Sequence, residues 1–118
     1  MANARMVHKT ISGSNDFLEM SYKAQALYFQ LNQNADDEGV VNNSLLILAS
    51  LRLKKSTLDE LLDKKFIISI PEKNILVIKH WYLSNKVKND RFTPSTYHED
   101  IIKYLELGKD KVYRPKNG

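Results

Sequence analysis

No cysteine occurs anywhere in the chain, which excludes disulfides and thiolate metal sites and suits a reducing cytoplasm. Glycine is scarce, with four residues in all. No phosphate-cradling glycine loop, nucleophile–base pair or metal-ligand set can be assembled from the sequence, so no enzymatic activity and no cofactor are expected. His8, His80 and His98 never fall one helical turn apart, which argues against a zinc site. Long apolar runs are missing too. Nothing reaches the roughly 18 residues of a membrane span, and MANARMVHKT lacks the apolar centre of a signal peptide. A soluble protein of the cytoplasm, with no membrane partner, is the expectation.

Positive charge is short in the first half only. Residues 1–51 carry three Lys/Arg against five Asp/Glu, whereas residues 52–118 carry fifteen against nine. The formal net charge of +4 therefore divides into −2 and +6, and the positive field belongs to the second half. Such a field suits a polyanionic partner. The 118 residues, 42% hydrophobic and 27% charged, have the length and composition of one small globular domain.

The most concentrated negative charge is Asp36-Asp37-Glu38, followed by Gly39. Counted from Asn34, the residues Asp36, Glu38 and Gly39 match a Ca²⁺ loop, but Leu45 stands where the closing bidentate glutamate is needed. The stretch reads as a polar turn between helices, with Gly39 at positive φ and Asn43 or Ser44 capping the next helix.

Along the chain, MVHKTI is expected to be extended and NDFLEM to form one helical turn. Ser21 caps a helix over 22–33, in which Ala24, Leu27, Tyr28 and Leu31 recur on one face. After the ADDEG turn, GVV forms a short extended piece, and a second helix starts near Asn43. Its sequence, SLLILASL, is apolar enough to predict burial. A third helix runs from 56 to 65, with Ser56 and Asp59 at capping-box spacing and Leu58, Leu61, Leu62 and Phe66 as its apolar stripe. FIISI and ILVIKHWYL then read as a hairpin whose loop is Pro71-Glu72-Lys73-Asn74. Trp81 and Tyr82 continue the second strand and are assigned to the core. A last helix is expected near Thr96, with Glu99 as capping partner. It turns Tyr97, Ile101, Tyr104 and Leu105 inward and ends at Gly108. Residues 108–118 have the composition of a linker or frayed terminus.

Helix, short strand, helix, helix and hairpin is the order of a winged helix-turn-helix. The expected fold is thus α+β, mostly α: three helices and a β-hairpin wing, spanning residues 1–107, with an additional C-terminal helix. That fold also serves in protein-interaction modules and in transcriptional repressors.

Two stretches, ARMVHKTISGSNDFLEMSYKAQALYFQLNQNADDEGVVNN and VIKHWYLSNKVKNDRFTPSTYHED, resemble the N-terminal region of phage replisome organizers, replication-initiation proteins similar in that region to DnaD-type primosome proteins. The shared features are the FL-M segment, the QALYF helix, AD-D-G-V-N, and then VIKHW, K-DR and P-T-Y. The resemblance implies a winged-helix domain that binds double-stranded DNA at the repeats of a phage origin inside the bacterial host. It also implies a C-terminal part, beyond this chain, that engages host replication proteins. Useful origin affinity from so small a module would call for several copies or self-association.

The candidate contacts rest on charge and position. Lys86, Lys88 and Arg91 form a basic cluster leaving the hairpin, suited to phosphates. Lys54, Lys55, Ser56 and Thr57 join cations, hydroxyls and free helix N–H groups at the start of the third helix. Lys73 and Asn74 occupy the hairpin tip, where Asn74 also fits plain turn chemistry. Arg5 and Lys9 could form a basic arm of the sort that enters a minor groove, but a disordered terminus accounts for them better. Against reading by the third helix stand Asp59, Glu60 and Asp63, whose charges repel phosphates.

Overall fold

A computed structural model describes residues 6–85 and 92–116. Two single turns come first, α1 (Lys9–Ser12) and α2 (Asn15–Leu18). The first replaces the extended segment expected for MVHKTI. His8 is its N-cap, and its Nδ1 accepts from the Thr10 N–H at 3.1 Å. The side chain of Ser14 caps α2 through the Phe17 N–H. Helix α3 (Tyr22–Asn34) begins where the sequence placed it, with Ser21 Oγ accepting from the Ala24 N–H at 3.1 Å. Its buried face is Ala24, Leu27, Tyr28 and Leu31, joined by Asn32.

Strand β1 (Val40–Val41) leads to α4 (Ser44–Leu51) and α5 (Lys55–Asp63), both packed on α3. Two expectations fail here. Only Ile47 and Leu48 of α4 are buried, while Leu45 and Leu46 are each 65% exposed. Eight residues make about two turns, and only one side of a helix on a surface can meet the core, however apolar its sequence. In α5, the N-cap is Lys54 and no side chain caps the helix. Arg52, at φ 57°, ends α4, and Lys54 turns extended, so α5 starts two residues before a Ser56 cap would allow. The Ser56–Asp59 capping box is not formed.

Strands β2 (Ile67–Ile70) and β3 (Ile75–Ile78) make the expected hairpin around Pro71–Asn74. Strand β3 lies in the middle of a three-stranded antiparallel sheet of order β1-β3-β2, with Val40 opposite Val77 and Ile67 opposite Ile78. It is buried at every position. The strand does not run on through Trp81. It ends at Ile78, and α6 (Trp81–Ser84) is a single helical turn that inserts Trp81 fully into the core. The core assignment of Trp81 holds although the element does not. Phe17, Tyr28 and Phe66 meet edge to face at centroid distances of 5.5 to 5.7 Å, beneath α3 and α5.

Helix α7 (His98–Tyr104) starts two residues later than expected and has Tyr97 as its N-cap, so the Thr96–Glu99 box is absent. The chain then leaves the helical path. Leu105–Leu107 (β4) pairs with Tyr113–Pro115 (β5) in a two-stranded ribbon. Tyr104 and Leu105 do turn inward, but the stop at Gly108 is a ribbon turn, with the Gly108 N–H donating to Val112 O at 3.0 Å. The segment read as a loose tail therefore carries structure through Lys116, and Tyr113 within it is 2% exposed. The molecule is an α+β fold, about half helix, with a small antiparallel sheet. No helix among the described residues is long and apolar enough to cross a membrane.

Candidate nucleic-acid interface

Positive side chains gather where α4 turns into α5. Arg52 adopts the left-handed conformation that normally favours glycine, and its N–H donates to Ala49 O and Leu48 O to close α4. The Leu53 N–H adds a bond to Leu48 O at 2.9 Å. Arg52 lines a cleft of about 360 Å³ together with Ser21, Lys23, Leu53, Lys54, Ser56, Thr57 and Glu60. Three of the expected contacts, Lys54, Ser56 and Thr57, meet here. Lys55 is exposed on the first turn of α5 and does not line the cleft. Sequence reasoning missed Lys23 and Arg52. The signal for Arg52 was present in the RLKK run, but nothing in the sequence placed α3's Lys23 beside it.

The start of α3 also reaches this cleft. Glu60 Oε2 accepts from the Ser21 N–H at 2.7 Å and Glu60 Oε1 from the Ser21 hydroxyl at 2.8 Å. Glu60 is thus a structural anion seated on a helix start, where the partial positive charge of the helix favours it. Of the three α5 carboxylates expected to repel phosphates, Asp59 and Asp63 remain exposed.

The hairpin tip lies apart from the cleft. Pro71 opens one 3₁₀ turn, and Asn74 takes φ 56°, the turn role foreseen for it. Lys73 Nζ stands 3.8 Å from Asp100 Oδ1 on α7. A half-exposed pair at that separation contributes little and leaves Lys73 able to turn outward. Lys86, Lys88, Arg91 and Arg5 lie outside the described residues. Lys9 is exposed in α1.

The acidic triplet has a part to play that was not foreseen. Asp36 Oδ1 accepts from the Glu38 and Val40 N–H groups at 2.9 and 3.1 Å, and Asp36 Oδ2 from the Ser95 hydroxyl at 2.5 Å. Asp37 Oδ2 takes the Thr93 N–H at 2.9 Å, and Glu38 takes the Ser95 N–H at 2.7 Å and contacts His98 Nδ1 at 2.8 Å. These carboxylates hold residues 93–98 against the turn. The same turn is held from the other side: Trp81 Nε1 donates to Asp37 O and the Tyr113 hydroxyl to Glu38 O, both at 3.0 Å. Among the described residues, no group of three or more His, Cys, Asp or Glu could hold a metal ion.

Two further ionisable groups are shifted by the fold. Burial lowers the His80 pKa from 6.5, and Lys79 and Arg114 lower it further. Arg114 is itself bound to Asp110 at 2.6 Å across the ribbon turn, which pulls the Asp110 carboxyl down to about 2.

Comparison with family models, curated proteins and solved structures returns no match.

Proposed function

We propose that the chain is a winged-helix module that binds double-stranded DNA during phage replication initiation. What carries the reading is topology: α3, β1, α4, α5, β2 and β3 in that order, with β3 between β1 and β2, as in a winged helix-turn-helix. In this reading α5 is the helix nearest the groove, the β2–β3 loop is the wing, and Arg52, Lys54 and Lys73 supply phosphate contacts. The cations around the α5 start, which make no ion pair among the described residues, support it, as does the resemblance of the sequence to replisome organizers. Origin repeats are the proposed target in the bacterial cytoplasm, with host replication proteins engaged elsewhere in a longer protein.

The test is fluorescence anisotropy with a duplex carrying the origin repeats of the genome that encodes the chain, against a scrambled duplex, at two salt concentrations. Tighter binding to the repeats, with affinity falling steeply as salt rises, is the expected outcome. Equal absence of binding to both duplexes overturns the reading.

A second reading is favoured by Leu45 and Leu46, exposed side by side on α4, together with the acidic Asp59 and Asp63 of α5. These suit an oligomerisation or protein-docking module of a replication complex. Light scattering on the eluting protein, with and without duplex, separates the two: a stable oligomer indifferent to DNA favours the second.

A further inference from the structure

We infer that the outer face of α3 and α4 is the contact surface for a second copy of this chain, paired about a two-fold axis. The inference deepens the second reading above by naming its partner, and it rests on that reading rather than on DNA binding.

The face is set apart by what it lacks. Residues 22–34 and 42–51 hold one charged side chain, Lys23, in a chain that is 27% charged. Lys23 stands at the far end, in the cleft it shares with Arg52. The remaining exposed surface is carboxamide, hydroxyl and hydrocarbon, with Gln30, Gln33 and Asn34 from α3 and Leu45, Leu46 and Ser50 from α4. A single exposed leucine is ordinary, but an adjacent pair in a surface stripped of charge has the composition of an interface centre.

A groove of about 180 Å³ between the helices carries a second observation. It is lined from α3 by Gln30 and Asn34, from α4 by Leu46, Ile47 and Ser50, and by Asn43. Asn43 is the N-cap of α4, yet its side chain makes no capping bond. Its Oδ1 is buried without a hydrogen-bond partner among the described residues. An acceptor taken from water and given no donor is costly, so it calls for an N–H or O–H from outside the fold. The exposed carboxamides of Gln30 and Gln33 are donors of that kind.

Charge and symmetry commit the occupant to a second copy. Each chain carries a formal net charge of +4, so two copies repel over most approaches, and an uncharged face is where they meet at least cost. An acidic partner would be drawn to the basic surface instead. A carboxamide both donates and accepts, so a patch of Asn, Gln and Leu is complementary to itself, as a two-fold contact requires. The patch is two helices wide and about 20 Å long, smaller than a standard interface, which makes the dimer weak and reversible.

The test is sedimentation velocity on the whole chain, from about 5 µM to about 1 mM. The mass should rise with concentration from the 13.7 kDa of one chain toward that of two, with amide NMR shifts over the same range confined to the α3–α4 face. Leu46→Glu and Gln30→Lys each charge an exposed position, one on either helix, so circular dichroism should stay native while association weakens about tenfold or more. Ile102→Glu charges an exposed apolar residue of α7 and should not weaken it. Added salt should leave the dimer unchanged or tighten it, because it screens the repulsion between the copies.

A dimer that survives both variants, or that salt loosens, overturns the inference and leaves the oligomerisation reading standing through another face. A chain that stays monomeric to about 1 mM also overturns it, and confines the second reading to the docking of a different protein.

Discussion

At Gly39 two constraints coincide. Its φ of 85° disfavours any side chain, and a Cβ there would lie 2.6 Å from Trp81 Cγ. Gly39→Ala should therefore cost at least about 3 kcal/mol, combining left-handed strain with displacement of a core tryptophan. A urea titration followed by tryptophan fluorescence would read both the lost stability and the altered Trp81 environment. Asp36 is the other residue on which the turn depends. Asp36→Ala strands two N–H groups and the Ser95 hydroxyl, and should cost about 2–4 kcal/mol; a midpoint shift under half that size would mean water replaces the carboxylate. His80 sets a pH dependence. Its folded pKa lies below 6.5, so the unfolded chain binds the extra proton first. Stability from this group is complete above pH 6.5 and is lost as the pH falls through the folded value. His80→Gln should flatten that part of the acid limb, as measured by denaturant midpoints at successive pH values.

At the scale of elements, legibility followed periodicity. Helix α3 was readable to within a residue because Ala24, Leu27, Tyr28 and Leu31 recur behind a serine cap, and both signals are local. The β2–β3 hairpin was readable because two β-branched runs flank Pro71 and Asn74. Errors arose where a tertiary contact outvoted local pattern. SLLILASL reads as buried, yet it covers only one side of α3. ILVIKHWYL reads as one strand, yet Trp81 must leave the sheet to fill the space beside Gly39. KDKVYRP reads as a tail, yet Tyr113 reaches Glu38 O and docks the ribbon. Tyr113→Phe deletes that bond and the hydroxyl's hydrogen bond with Tyr82. It should cost about 1 kcal/mol and raise amide exchange across Leu105–Pro115 before the rest of the fold. For the candidate interface, charge was legible at Lys54 and Lys73. The meeting of Lys23 with Arg52 was not, because it depends on how α3 crosses the α4–α5 turn.

For the molecule as a whole, buried phenols set an upper pH limit. Burial pushes Tyr28 and Tyr82 up to about 12 and Tyr113 higher still. Raised folded values mean that the native state keeps protons which the unfolded chain gives up near pH 10. Stability should be complete below pH 10 and fall as the pH climbs beyond it, with tyrosinate absorbance and loss of helical circular dichroism rising together. If absorbance rose alone, these tyrosines would be ionising within an intact fold.

The carboxylates at Asp36–Glu38 and the amide of Asn85, which bonds both N–H and C=O of Met6 at 2.7 and 3.1 Å, act as two moorings. The chain leaves one at Asn85 and meets the other at Thr93, so both ends of the interval are fixed by the fold on either side of it. The two moorings hold Met6 to the end of α6, and residues 93–98 to the acidic turn, through bonds made entirely by residues on either side of that interval.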